Sequence, residues 1–536
     1  MKTLMKTSLW LPLAAFLFGT PAFAGKSDPW PMSSGPHGNY LPLQPEGIEY
    51  VDDLADAKLL WESKCDHFGW IKTTSGMMGT IYKDHLSGHP GSGSTPIIAE
   101  GKVFGSSFRA TGPVDQGRAV EKFLKGLQER KGAVDPKRAE FLRKSVRFHA
   151  EDVVFALDAD TGKLLWETFE SGGVNLAAGK RDIWKPSPVY LDGKLFTLGT
   201  TGMIRAYDAK TGKKLWETTH PLMREKILAD VEKAKNSEGY GRYRLTYQFE
   251  RDLFAVDGRV IVPSFGDPIG LDAETGKVLW QLQGEKSERI QNTFSNPGLW
   301  KHGNKTYLLY AGSAGLEQGR LFLVDPTDGR ILHRLDVGMH TNGVTIVGDV
   351  AFVSVANQTL PRVRNGKTET KTQALMGGVR LSLDGLQLLW SLPKGEVKYA
   401  YVITPDRGVR RHAAAGANGT ILYHAQGGSG DQDTDRLFVL VAKSGKILAE
   451  SDLPKCCSPY PYQIGKRVLV FRDGSHKTNN AKLFSLPDLN LLTEDYKWKH
   501  FGTTTYELNL EHPIVDGRIY MRTGNGTLAC YDLRKE

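Results

Sequence analysis

Cysteine is scarce, with four in 536 residues, at Cys65, Cys456, Cys457 and Cys530. None of the spacings forms a zinc-module pattern. Past the first two dozen residues, no apolar run approaches the roughly 20 residues that a membrane-spanning helix needs. Excess charge of one sign is also small: 69 basic against 60 acidic side chains gives a net +9. No basic block with interleaved aromatics stands out, so nucleic acid is a poor partner for this chain. Weak attraction to acidic polymers or surfaces stays open. There is no Gly-rich phosphate loop and no G-x-S-x-G nucleophile elbow.

The start of the chain reads as a processing segment. Lys2 and Lys6 give a basic start, Leu9 to Phe18 an apolar core, and Ala22-Phe23-Ala24 a cleavage site of small residues. No cysteine follows the cleavage site, which argues against a bacterial lipid anchor. The expectation is a periplasmic or secreted protein, where cysteines meet an oxidising environment. Loss of the two leader lysines takes the net charge from +9 to about +7.

What the chain has in abundance is a repeat. Residues 154–167 read VFALDADTGKLLWE, 204–217 read IRAYDAKTGKKLWE, and 269–281 read IGLDAETGKVLWQ. Each fits two short strands joined by a tight turn. In all three, an aspartate (Asp158, Asp208, Asp272) precedes a tryptophan (Trp166, Trp216, Trp280) by eight residues. A weaker copy places Asp325 eight residues before His333, a fifth ends in Trp390, and two eroded ones lie near Ser444-Gly445-Lys446 and Pro487-Asp488. All-strand repeats of about 40–50 residues indicate propeller blades. The tryptophan is expected to pack on the neighbouring blade while the aspartate and threonine cap the turn.

This A-x-D-A-x-T-G-K-x-L-W pattern resembles the tryptophan-docking repeat of the pyrroloquinoline-quinone-like (PQQ-like) β-propeller superfamily. That superfamily holds quinone-dependent alcohol dehydrogenases and also non-enzymatic scaffolds, such as the propeller lipoprotein of the outer-membrane barrel-assembly machinery. The resemblance implies the fold and leaves the function open.

Eight four-stranded antiparallel blades are expected, at about 94–168, 186–218, 251–282, 294–336, 341–392, 411–450, 461–493, and a shared blade of 512–533 plus 50–63. Residues 58–62 (KLLWE, with Trp61) supply an outer strand whose inner strands come from the other end of the chain. Sharing one blade between the termini removes a free sheet edge. Residues 25–49, rich in proline and glycine, read as an extended arm on the body. Cys65 and Cys530 fall on neighbouring strands, which raises a disulfide across the closure or two buried thiols. The long insertions, about 111–150, 219–245, 357–375 and 427–435, fall on one face, here called upper; the first two look helical and the last two like polar loops. Elaborating one face of a rigid scaffold builds a site or a docking surface.

The innermost strands begin at the upper mouth of the central channel, and their starts are polar. Candidate ligand or cofactor contacts are Trp184, Lys185, Asn342, Arg410, Arg411, Cys456, Cys457, Tyr460 and Glu507; candidate metal ligands are His340, His412 and His512, with His85 and His89 from an upper loop. Imidazole suits a transition metal, proton transfer or plain hydrogen bonding to loops, and all three stay open. Met77 and Met78 beside His85 would suit copper, or simply an apolar rim. Asp431, Asp433 and Asp435 alternate as calcium ligands do, yet lack an EF-hand glutamate. The adjacent Cys456-Cys457 pair is similar to the vicinal disulfide that lies against the quinone in the dehydrogenases, although here it opens the seventh blade. The family's calcium carboxylate, catalytic aspartate and haem-attachment motif find no match. Three functions follow: an exported protein holding a small ligand or metal in the mouth, an oxidoreductase using a quinone or metal there, or an envelope scaffold binding other proteins through its insertions.

Overall fold

The structure, a computed structural model, describes residues 30–43, 45–68, 90–91, 94–113, scattered positions in 121–139, 149–174, 186–221, 223–235, 252–263, 268–282, 284–285, 290, 296–313, 319–337, 344–364, 367–392, 413–425, 434–454, 461–473, 479–496, 511–523 and 527–536.

Eight antiparallel sheets form the blades of a propeller. Blade 1 contains Ile97–Ala99, Lys102–Thr111, His149–Asp158 and Leu164–Val174 as strands A to D, from the axis outwards. A fifth short piece, Pro90–Gly91, pairs with strand B of this blade. Blades 2 to 7 span 189–219, 254–281, 298–337, 345–391, 413–454 and 461–496. In the closing blade, Ile514–Val515, Arg518–Arg522 and Leu528–Asp532 take Lys58–Glu62 as outer strand, with Trp61 opposite Cys530. Register alternation places Val, Ile, Leu and Phe of strands B and C between blades, where they are fully buried.

The repeat works as a lock between blades. Asp158 Oδ1 accepts hydrogen bonds from Thr161 N (2.8 Å) and Thr161 Oγ1 (2.7 Å), and Asp208 and Asp272 do the same for Thr211 and Thr275. Each capped turn receives an indole from the preceding blade. Trp166 Nε1 donates to Ala209 O (3.2 Å), Trp216 to Ala273 O (3.1 Å), Trp280 to Pro326 O (2.8 Å), Trp390 to Ala442 O (2.9 Å), and Trp61 closes the ring on Ala159 O (3.2 Å). The turn glycine lets the ring lie flat. Gly212 has φ +73, and a Cβ there would sit 2.5–2.6 Å from Trp166. At the fourth copy His333 replaces the indole, and its Nε2–H donates to Leu383 O (2.7 Å).

Several expectations change. Residues 357–375 do not form a loop: Val350–Arg364 and Lys367–Ser382 pair as one long hairpin, ending at Arg364 opposite Lys367. Cys65 and Cys530 are free thiols, so no disulfide staples the closure; burial pushes both thiols up to about 12. The helical insertion after blade 2 is present as α1 (Arg224–Lys235), seated through buried Ile227. Positions described within 121–139 are partly helical, and the insertion at 427–433 lies outside the described residues.

The arm also differs from an extended strap. Residues 31–40 are mostly turns, and Trp30, Ser33, Ser34 and Tyr40 are buried. Trp30 exchanges two backbone hydrogen bonds with Ile98, the middle residue of strand A in blade 1 (2.6 and 2.9 Å). Pro31 O accepts from Tyr190 N of blade 2, and Asn39 O from Ala415 N of blade 6 (both 2.9 Å). Asn39 Nδ2 donates to Ile346 O of blade 5 (3.2 Å), Gly38 lies against Leu299 of blade 4, and the Trp30 ring is 6.4 Å from that of Tyr462 in blade 7. An innermost strand has no sheet partner on its axial side, so its inward amides and carbonyls need one from elsewhere. The arm supplies it and fills the channel. It then passes along the lower side, where Tyr50 bridges to Arg534 and Val51 N donates to Leu533 O.

Candidate functional site

The described part of the mouth is a belt of strand heads. Thr95, Ser187, Asp252, Asn296 and His512 each stand two residues before strand A of their blade. Three of these head amides are each received by the side chain of the next head. Thr95 N donates to Ser187 Oγ (2.8 Å), Ser187 N to Asp252 Oδ1 (2.7 Å), and Asp252 N to Asn296 Oδ1 (3.2 Å). Asn296 Nδ2 returns a bond to Asp252 Oδ2 (3.2 Å). On the other side, Glu511 N donates to Thr95 Oγ1 (3.3 Å), whose hydroxyl also bonds the Glu511 carboxylate. Five consecutive blades, from the closing blade to blade 4, are thereby tied by buried polar contacts. Ser33 of the arm joins them, donating to Asp252 Oδ2 (2.6 Å).

The sequence carried a signal for this belt that composition alone does not reveal. Four of the five heads precede proline: Thr95-Pro96, Ser187-Pro188, Asn296-Pro297 and His512-Pro513. Proline holds the head extended and removes one amide that would otherwise face the channel unpaired. Part of the mouth's polarity is therefore structural. Asp252, Ser187, Thr95, Glu511 and Ser33 were the residues that strand-start reading passed over.

Of the expected site residues, only His512 lies among those described. Its ring is buried, 4.5 Å from the Phe471 ring, and its amide donates to Tyr462 Oη (3.0 Å). Burial, and secondarily the Arg522 charge, push its imidazole down to about 3, so it stays neutral. Trp184, Lys185, His340, Asn342, Arg410, Arg411, His412, Cys456, Cys457, Tyr460, Glu507, His85 and His89 lie outside the described residues, as do Met77, Met78, Asp431 and Asp433. Among the described residues, no group of three or more His, Cys, Asp or Glu is placed to hold a metal ion. Both Asp252 oxygens are already accepting bonds, so it is not a ready cation ligand either. Elsewhere, His220 beside α1 is also buried, and burial pushes it down to about 4.

The sequence profile of a family described as outer membrane protein assembly factor BamB matches residues 149–397, a little under half of the chain. Those residues hold five of the copies, four docked by tryptophan and one by His333, with the geometry given above. The fold is an eight-bladed β-propeller, and over residues 149–397 its sequence is similar to this PQQ-like family. Among solved structures, the propeller is similar to a europium-containing methanol dehydrogenase with a TM-score of 0.51 and 13% identity, over 95% of this chain and 99% of that one. BamB from Moraxella catarrhalis aligns with a TM-score of 0.44 and 13% identity, over 73% of this chain and 93% of that one. A quinohemoprotein alcohol dehydrogenase from Pseudomonas putida HK5 gives 0.49 and 11%, over 94% and 80%. At these identities the likeness is one of fold. No curated protein matches the sequence. Among the described residues, no helix is long and apolar enough to cross a membrane.

Proposed function

We propose that this propeller is an exported binding protein, periplasmic or secreted, that holds a small ligand or a metal at the upper mouth of its channel. The observation that supports this most is the asymmetry of the channel. Below, it is filled by Trp30–Tyr40; above, the strand heads form a rigid polar belt. In sequence, the segments that precede the innermost strands of blades 2, 5, 6 and 7 carry Lys185, His340, Arg411, His412 and the Cys456-Cys457 pair. A scaffold of this kind holds side chains in fixed relation to one another, which is what a binding site requires. A quinone- or metal-dependent oxidoreductase using the same mouth is the second reading, favoured by the full-length fold likeness to a methanol dehydrogenase. Under it, a histidine would remove the substrate proton, and Arg411 or Lys185 would stabilise the reduced cofactor's charge. A third, docking of envelope proteins, draws on the assembly-factor profile and on the long hairpin that falls within its span.

The deciding experiment is an absorbance spectrum with elemental analysis on mature protein from its native compartment. A quinone-like near-ultraviolet band with stoichiometric calcium or another metal supports the oxidoreductase. Stoichiometric copper, zinc or iron alone supports a histidine site, and His340→Ala with His412→Ala should then abolish uptake. Unchanged uptake in that double variant would sink both site readings. A colourless, metal-free sample directs attention to organic ligands or protein partners.

A further inference from the structure

We propose that Trp30–Tyr40 is an axial plug that closes the channel from below and forms the floor of the upper mouth, so that seating of the plug and occupancy of the mouth are coupled. The coupling rests on the mouth being the ligand site; the plug itself does not.

The segment meets the inner strands of successive blades with one or two specific contacts each. Its ascending part pairs with Ile98 and Tyr190, and its descending part with Ile346 and Ala415. Between them the chain reverses through Ser33–Gly38, held by Gly35 N to Met32 O (3.0 Å) and Tyr40 N to Ser34 O (2.8 Å). Gly35 and Gly38 adopt φ +83 and +68, and a Cβ on Gly38 would meet Leu299 at 2.9 Å. The reversal is thus fitted to the channel and sterically restricted to glycine. Its apex reaches the belt of heads, where Ser33 is latched to Asp252, the same carboxylate that joins blades 2 to 4. Any molecule entering from above meets this apex as the end of the channel.

Ser34 supplies a separate observation. It is 1% exposed, and its hydroxyl has no hydrogen-bond partner among the described residues. A buried hydroxyl left unpaired is destabilising, and such groups call for an explanation in water, ion or ligand. Beside a latched Ser33, it is an unmet hydrogen-bonding group in the apex of the plug. Since the belt and the plug share Asp252, a ligand that tightens one tightens the other, and the linkage is reciprocal.

The test uses the full mature protein and hydrogen exchange read peptide by peptide. Amides in 30–40 should exchange as slowly as those of the inner strands; exchange at the rate of an unstructured chain overturns the plug. Ser33→Ala should speed exchange in 30–40 about ten-fold while leaving the inner strands of blades 5 to 7 unchanged, and Ser33→Thr should restore protection. Faster exchange throughout would mean a general stability loss and would count against a local latch. Binding is then titrated with pyrroloquinoline quinone plus calcium, and with zinc and copper alone. If one binds, it should slow exchange in 30–40, and Ser33→Ala should weaken it by the same factor by which it loosens the plug. Equal affinity in wild type and Ser33→Ala overturns the coupling. Uptake of none of these probes removes the site reading and the coupling together, while exchange still decides the plug.

Discussion

Blades 1 to 3 and blades 6 to 8 solve the same packing problem in opposite ways. Between blades 1 and 2, a large Trp166 from the outer strand lies on a bare Gly212. Between blades 6 and 7 the sizes are exchanged. Ala449 stands where the indole would be, and Leu489 stands at the glycine position, keeping positive φ (+53) and filling the space from the other side. Between blades 7 and 8, Thr493 takes the indole position, and the arm's 3-10 turn Leu54–Asp56 docks there, with Leu54 N donating to Thr493 Oγ1 (3.1 Å). The conserved quantity along the ring is the volume filled between blades, not the residue that fills it.

The largest effect should come from removing an indole. Trp280→Ala deletes a 7% exposed ring and its bond to Pro326, and should cost about 4 kcal/mol in urea or thermal unfolding. Leu491→Ala on the outer strand of blade 7, which is 45% exposed, should change little. The swap itself can be tested as a cycle. Ala449→Trp alone should destabilise by about 1–3 kcal/mol through overpacking, and Leu489→Gly alone by a similar amount through the cavity it opens. The double variant should recover a large part of the sum; strict additivity would mean that the two residues do not share one volume.

Glycine substitutions sharpen the same contrast. Gly276→Ala places a Cβ 2.5 Å from Trp216 at φ +71 and should lower stability by more than 2 kcal/mol. Gly258→Ala, at φ +75 with nothing within 4 Å, carries the backbone strain alone and should cost about 1 kcal/mol.

Between neutral pH and the carboxylate range, acid should act in part through two buried histidines. Their folded-state values lie below the 6.5 of a free imidazole, at about 4 for His220 and about 3 for His512. The unfolded chain therefore binds protons that the folded one does not. Stability is full above pH 6.5 and declines as pH falls through this window, by about 3–5 kcal/mol per histidine at its foot. Melting temperature against pH should be flat from 7 to 8 and fall below 6, and His220→Asn should make that fall shallower. A single turn cap is also a small effect: Asp208→Ala should cost about 1 kcal/mol, because the capped turn is exposed.

The blades could be read from sequence because the docking motif is local: the cap, the turn and the outer strand lie within fourteen residues. Ala449 and Leu489 were unreadable because their complementarity spans two blades and matches no motif. The hairpin at 350–382 escaped because its outer part is polar and lacks the apolar alternation by which strands are recognised. The plug was hidden for a different reason. Its partners are scattered over seven blades, with no period and little local pattern. For the mouth, reading only the charge and imidazoles at the strand starts missed the polar-proline pairs that bond the heads to one another.

The shared closing blade also sets a clock. Lys58 pairs with Asp532 and Trp61 with Cys530, so the strand at 58–62 has no partner until residues 528–532 exist. Until then its exposed Leu59 and Leu60 and its unmatched edge are open to wrong neighbours. Contacts this distant in sequence form slowly, and a chain truncated shortly before Leu528 would contain seven complete blades and still lack a ring. For this molecule, the ring cannot close before residues 528–532 are in place.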